Sequence, residues 1–329
     1  MRRMIFGLSL TILGLYIAFH KFDPSTLRGV LIRANGKWIL LGVALLVFSV
    51  WIRTVRWQIL MRPLKSVGLR PLFSTTMIGY FGNAILPLRL GELLRAYSIH
   101  TEERSITPAA AFGTIVVERL LDVMGLVAVT GIVFSQYDVP FWLLNAGIFL
   151  GIVLVGSLLL YWWVWRSHRS WIERFENTPL LKGKMGSKAR YLAQSFFEGL
   201  NVLRKTRRIG FLVFYTAVLW VIYGVIAQAS AMALGITLTW VEVGVILVAT
   251  SMVISVPSAP GYVGTYHAAA VLIMVQMLGK SESISQAYAI LSHAVGFVPL
   301  VAIGFVFLLR SSVRLGEIRG LKMGEEETE

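Results

Sequence analysis

Along most of the chain, long apolar runs alternate with short polar connections. A helix rises 1.5 Å per residue, so about 20 apolar residues cross a hydrocarbon layer of about 30 Å. Six segments meet that length: Met4 to His20, Trp38 to Leu60, Pro108 to Phe134, Phe141 to Trp165, Gly210 to Leu234 and Ile284 to Leu309. Each is expected to be helical, because lipid offers no partner to an open backbone amide or carbonyl. Two further apolar segments, Pro71 to Ile99 and Trp240 to Leu278, are interrupted near their middles by proline and glycine. Proline removes a backbone donor and blocks the turn before it, so each of these is expected to break into two half-helices. A broken backbone survives at membrane depth only where protein or a wet cavity satisfies it. A continuous, kinked helix is the alternative for either segment.

This pattern predicts an all-α polytopic membrane protein, a single membrane domain over 1–329 with six full spans and two broken hairpins, about eight helices counted as spans. The hairpins share a register: Pro87 and Pro260 lie 173 residues apart, as do Gly91 and Gly264, which gives P-x-x-x-G in both. The stretch 166–209 carries eleven Lys and Arg from Arg166 to Arg208, whereas the connections 135–140 and 235–239 carry none. Lys and Arg accumulate on the cytoplasmic side, which places that stretch inside. If each hairpin returns to the side it entered from, both termini also fall in the cytoplasm. The first half, 1–165, and the second, 210–310, are then inverted repeats, followed by a cytoplasmic tail at 311–329. Only the connection with Lys21, Arg28, Arg33 and Lys37 runs against this sidedness. Within the basic stretch, Tyr191, Leu192, Phe196, Leu200 and Leu203 recur among Lys and Arg, the pattern of an amphipathic helix lying on the cytoplasmic leaflet.

Composition sharpens this picture. Hydrophobic residues make up 56% of the chain and charged residues 15%, too little polar surface to cover a water-soluble fold. The net charge of +14 sits mainly in loops beside spans, so anionic lipid headgroups, rather than nucleic acid, are the expected partners. The absence of cysteine excludes disulfides, thiolate nucleophiles and cysteine-held metals. No cofactor or metal is implied, and no catalytic signature is present. Gly279, Lys280 and Ser281 imitate the end of a phosphate loop, but Met274 stands where its first glycine belongs.

The candidate chemistry lies inside the apolar segments, where charge is costly. Glu118 and Asp122 share a helix face at i, i+4 near the middle of their span, with Arg119 beside them. Each exposed charge at that depth costs about 2.5–3.5 kcal/mol, so this face must meet protein or water. Two carboxylates there need a cation, and Arg89 or Arg95 can supply it. Beyond Pro87, Arg89 is expected in the first turn of a half-helix, where the field opposes it, whereas Glu92 is favoured. Arg89 and Arg95 either close on Glu92 as an internal ion pair or await an anion, to which the arginine fork is suited. In the second hairpin, Ser258 is a candidate cap for a half-helix starting near Pro260. Gly261 and Gly264 allow close approach, and His267 is either a hydrogen-bonded core residue or a proton relay. Arg53 and Arg56 are expected to snorkel to headgroups from the end of their span.

These residues fall into four motifs: R-x-x-R-W at Arg53, Arg56 and Trp57; N-x-x-L-P-x-R-x-G-E from Asn83 to Glu92; E-R-x-x-D from Glu118 to Asp122; and P-S-x-P-G-x-x-G-x-x-H from Pro257 to His267. Through them the chain resembles the lysylphosphatidylglycerol synthase transmembrane region family of flippase-like membrane proteins. His267 stands where many members carry glutamate. The resemblance implies movement of an anionic or zwitterionic lipid, or a polyprenyl-phosphate-linked one, between leaflets of the plasma (inner) membrane. The candidate substrate-binding residues are Asn83, Arg89, Glu92, Arg95, Glu118, Arg119, Asp122, Ser258, Gly261, Gly264, Tyr266 and His267. Two other functions fit the same residues: a membrane-embedded lipid-modifying enzyme using Glu118, Asp122 and His267, or an accessory partner of a lipid- or glycan-synthesis enzyme.

Overall fold

The computed structural model describes residues 12–20, 23–86, 89–177, 184–255 and 260–311, and within them the chain is helical with no strand. A helical segment at 12–19 is followed by α1 (Pro24–Ile32), α2 (Gly36–Met61), α3 (Leu69–Ile85), α4 (Gly91–Glu102), α5 (Pro108–Phe134) and α6 (Phe141–Asn177). Then come α7 (Lys184–Leu200), α8 (Ile209–Ala233), α9 (Trp240–Ser255), α10 (Thr265–Leu272) and α11 (Glu282–Arg310). Starts follow local sequence: the Asn35 side chain accepts from the Lys37 amide to open α2, and Thr107 accepts from Ala110 to open α5, with Pro108 in its first turn.

Among the described residues, four helices are long and apolar enough to cross a membrane: Gly36–Met61, Phe141–Trp163, Ile209–Ala233 and Glu282–Arg310. They correspond to four of the six expected spans. A fifth, α5, has the length at 27 residues but carries Glu118, Arg119 and Asp122 in its interior. The sixth, Met4 to His20, lies within the described residues only from 12 onward. The outer faces are strongly apolar: Phe149, Ile152 and Leu159 on α6 and Val221 on α8 are each about 60–67% exposed. Water would not tolerate that surface, and lipid does.

Both proline–glycine segments are broken. In the first, α3 runs 17 residues, Leu86 turns extended, and α4 begins at Gly91. In the second, α9 runs 16 residues, Pro260–Tyr262 makes one tight turn with Gly261 left-handed (φ 69°), and α10 begins at Thr265 and continues as a π turn over Ile273–Met277. Arg89 (φ 58°) and Tyr262 (φ 57°) are the two non-glycine residues with left-handed backbone among the described residues. Their separation is again 173 residues, so the shared register extends from sequence to backbone. It also corrects where the half-helices begin. Each starts four or five residues after its proline, because the left-handed residue reverses the chain first, and Arg89 therefore precedes its helix.

Glycines let the hairpins close. A Cβ on Gly91 would run into the Gly79 carbonyl and the Asn83 amide of α3, and one on Gly82 would come within 2.8 Å of Gly91 Cα. At the second break, a Cβ on Gly14 would lie 2.5 Å from the Gly264 carbonyl carbon. Gly91→Ala is expected to destabilise the protein by about 1–3 kcal/mol through overpacking. Gly151→Ala, which meets nothing within 4 Å, should be close to neutral. Thermal unfolding in detergent, read by loss of the monodisperse species, checks both.

The basic stretch departs from expectation. Helix α6 continues to Asn177, about 55 Å for its 37 residues, so the start of the expected loop is helical. The amphipathic helix α7 exists, but it is docked on α5: a Cβ on Gly113 would meet the Phe196 carbonyl at 2.6 Å, and one on Gly199 would strike the Ala110 carbonyl. Tyr191 and Leu192 are exposed as expected of a lipid-facing surface, whereas Phe196, Leu200 and Leu203 join the core around Trp57 and Ile115. The glycine pair brings the two backbones together and turns those side chains inward.

Candidate functional site

Helix α5 sets the site, because its two carboxylates are enclosed by arginines from α2, α4 and α5 itself. Glu118 is fully buried and accepts from Arg53 Nη1 at 2.8 Å, Arg119 Nη2 at 2.7 Å and both terminal nitrogens of Arg95 at 3.0–3.2 Å. Asp122 accepts from Arg56 Nη2 at 2.6 Å and Arg53 Nη1 at 2.9 Å, and Arg119 Nη1 lies 3.2 Å away. Glu92, at the start of α4, is held more loosely by Arg119 at 3.7 Å and Arg89 at 3.9 Å. The expected cation for α5 is thus Arg95, while Arg89 pairs with Glu92 on its own element.

The remaining arginine donors reach outward. Arg53 Nη2 donates to the Tyr223 hydroxyl and Arg56 Nη1 to the Thr216 hydroxyl, each at 2.9 Å on α8. The Arg95 guanidinium sits 3.8 Å above the Trp57 ring, whose Nε1 donates to Thr114 of α5. One charged cluster therefore ties α2, α4, α5 and α8 together. Arg53 and Arg56, expected at a headgroup interface, are instead 6% and 0% exposed. Their i, i+3 spacing puts both on the face that meets Glu118 and Asp122, and those carboxylates hold them inside.

Against this cluster lies a cavity of about 540 Å³. Its lining includes Arg53, Asn83, Arg89, Glu92, Arg119 and Asp122, together with Tyr80 and Tyr223. Apolar side chains such as Leu46, Val123, Ile246, Ile254 and Leu300 complete it, with Tyr262, Tyr266, His293 and Phe297 from the second break and α11. Both left-handed residues, Arg89 and Tyr262, line this one space. The Asn83 amide oxygen is buried without a hydrogen-bond partner.

The second break is held mostly by contacts of its own. His293 Nε2–H donates to the Gly261 carbonyl at 2.8 Å, and its ring stacks on Phe297 at 5.1 Å between centroids. The Gly264 amide donates to His267 Nδ1 at 3.4 Å, so His267 caps the start of α10, as a glutamate at that position of a helix also does. His267 is 7% exposed and lies behind His293, with centroids 4.8 Å apart. Tyr266 donates to Ser292 Oγ at 3.0 Å. Ser258 falls outside the described residues.

Of the residues singled out from sequence, Asn83, Arg89, Glu92, Arg119, Asp122 and Tyr266 meet on the cavity. Arg95 and Glu118 stand behind its charged wall, and Gly261, Gly264 and His267 shape the second break. Arg53 as a cavity residue, Arg56 as its neighbour and His293 as the anchor of Gly261 were not identified. A lone polar residue within an apolar span was the available sign for His293. Among the described residues, no group of three or more His, Asp or Glu is arranged to hold a metal ion.

Fold and site together define an all-α, multi-pass membrane protein with a largely apolar cavity in its helix bundle, one wall of which is charged by Arg53, Arg89, Arg119, Glu92 and Asp122. The chain belongs to the lysylphosphatidylglycerol synthase TM region family, which matches residues 4–304. It is similar to the glycosyltransferase AglD of Haloferax volcanii, 29% identical over 133 residues, 40% of this chain and 21% of that protein. It is also similar to the UPF0104 membrane protein MJ1595 of Methanocaldococcus jannaschii, 32% identical over 127 residues, 35% of this chain and 38% of the relative. A UPF0104 membrane protein of Methanothermobacter thermautotrophicus is 28% identical over 145 residues, 42% of each chain. The matched stretches therefore span about a fifth to two fifths of these relatives' lengths. No solved structure matches significantly.

Proposed function

We propose that the protein moves a lipid with an anionic or zwitterionic phosphate headgroup between the leaflets of the plasma membrane, both termini lying in the cytoplasm. The observation that carries this reading is a single cavity lined both by partly exposed arginines and by apolar side chains, where two broken hairpins of the same register meet. The side chains of Arg89 and Arg119 are 26% and 30% exposed, open to a headgroup, while Ile246, Ile254 and Leu300 accommodate the start of a tail. Access alternates by rocking of the two halves about the meeting point of the hairpins, which enter from opposite faces.

Reconstituted vesicles carrying short-chain fluorescent phospholipids, with dithionite added outside, report translocation. Wild type is expected to exceed protein-free vesicles several-fold, and Arg89→Ala and Glu92→Ala to lose most of that excess. Equal rates in all three would remove these residues from the mechanism. The likeness to part of a protein named a glycosyltransferase favours a second reading, in which the chain presents a lipid to a synthase. Co-purification of such an enzyme, with no translocation by the isolated chain, would replace the first reading with the second.

A further inference from the structure

We propose that the cavity selects lipids whose headgroup carries two negative charges, a phosphomonoester or a diphosphate, over phosphodiester and zwitterionic lipids. This rests on the cavity receiving a lipid headgroup, and it comes from the balance of charge in the cluster. Five guanidinium groups face three carboxylates, an excess of two positive charges, and among the described residues no other carboxylate comes within ion-pair distance of those arginines. The cluster is short of acceptors as well as charge: Nε of all five arginines is buried without a hydrogen-bond partner.

An uncompensated charge is not retained in a low-dielectric interior without cost, so the excess favours an anion that cancels it. Arg89 is the least engaged of the five, its carboxylate partner standing at 3.9 Å, and it lines the cavity with Arg119. A phosphomonoester near neutral pH carries a charge of about −1.5 to −2 and three terminal oxygens, matching both the charge and the donors. A phosphodiester carries one charge and two free oxygens, and leaves half the excess standing. A zwitterionic headgroup leaves all of it and adds a cation for which only Glu92 is loosely engaged, since Glu118 and Asp122 are already held by the arginines.

The test is competition binding by native mass spectrometry at pH 7.5. The full chain is offered phosphatidic acid, phosphatidylglycerol and phosphatidylcholine of matched acyl chains, with inorganic phosphate in a separate arm. Phosphatidic acid is expected to bind at least about tenfold better than phosphatidylglycerol, with phosphatidylcholine weakest and inorganic phosphate competing only at far higher concentration. Arg89→Gln lowers the excess to one and should bring the phosphatidic acid to phosphatidylglycerol ratio near unity, whereas Glu92→Gln raises the excess to three and should increase that ratio. A merely structural role would move both lipids alike, so the ratio is the decisive readout. Equal binding of the two lipids by wild type, a ratio unmoved in both variants, or inorganic phosphate binding as well as phosphatidic acid would overturn the proposal. A clear preference without translocation in vesicles would defeat the transport reading and leave this one standing, and translocation without preference would do the reverse.

Discussion

Glu118→Ala is expected to leave little folded protein. The carboxylate is fully buried and accepts from arginines of α2, α4 and its own helix, and its loss strands Arg53 and Arg95, 6% and 3% exposed, with too few partners. Removing one partner of a buried ion pair typically costs about 3–5 kcal/mol, and here one carboxylate serves several arginines. Expression in membranes should fall sharply, and the remaining protein should aggregate well below the wild-type transition on heating in detergent. Arg95→Leu alone should also destabilise. Combined with Glu118→Leu, its cost should be less than additive by about 1–3 kcal/mol, since the stranded guanidinium is then gone as well. A Glu118→Ala protein that melts within a degree or two of wild type would show that the cluster does not hold the helices together.

Arg119→Gln is expected to behave in the opposite way, with a modest effect on stability and a large one on translocation. Its side chain is 30% exposed on the cavity, and Arg53, Arg56 and Arg95 still neutralise Glu118 and Asp122 without it. Charge-assisted hydrogen bonds to an anion are worth about 1.5–3 kcal/mol, so losing this guanidinium should slow headgroup passage by at least about tenfold. The measurement pairs the melting temperature with the dithionite rate in vesicles. Arg56→Gln, fully buried on the far side of Asp122, should lose stability first. Equal translocation by Arg119→Gln and wild type would take this arginine out of the lipid's path.

Much of this arrangement was legible in the residues because membrane physics narrows the choices. Pro87 and Pro260 could not sit inside continuous helices without freeing backbone groups, and both segments break. Glu118 and Asp122 on one face demanded a cation, and Arg95 supplies one. Distance along the chain hid the rest. Arg53 and Arg56 near the end of an apolar helix look the same whether they reach toward headgroups or toward carboxylates about 65 residues away, and only packing distinguishes the two. The half-helix starts were placed too early because proline announces a break without saying where the chain turns; the left-handed Arg89 and Tyr262 do that, and neither residue type advertises it. For α7, glycines at 113 and 199 decided which apolar side chains face protein, a pairing invisible to an amphipathic pattern.

The proposed transport requires the charged cluster and the shared cavity at the two breaks to hold a lipid phosphate. An experimental map of the full chain in a phosphatidic-acid-containing nanodisc tests it most directly. Headgroup density is expected within hydrogen-bonding distance of Arg89 and Arg119, with a tail running past Ile254 and Leu300. Density for continuous helices through 83–95 and 255–268, or a cavity closed by side chains with the lipid bound elsewhere, would contradict it.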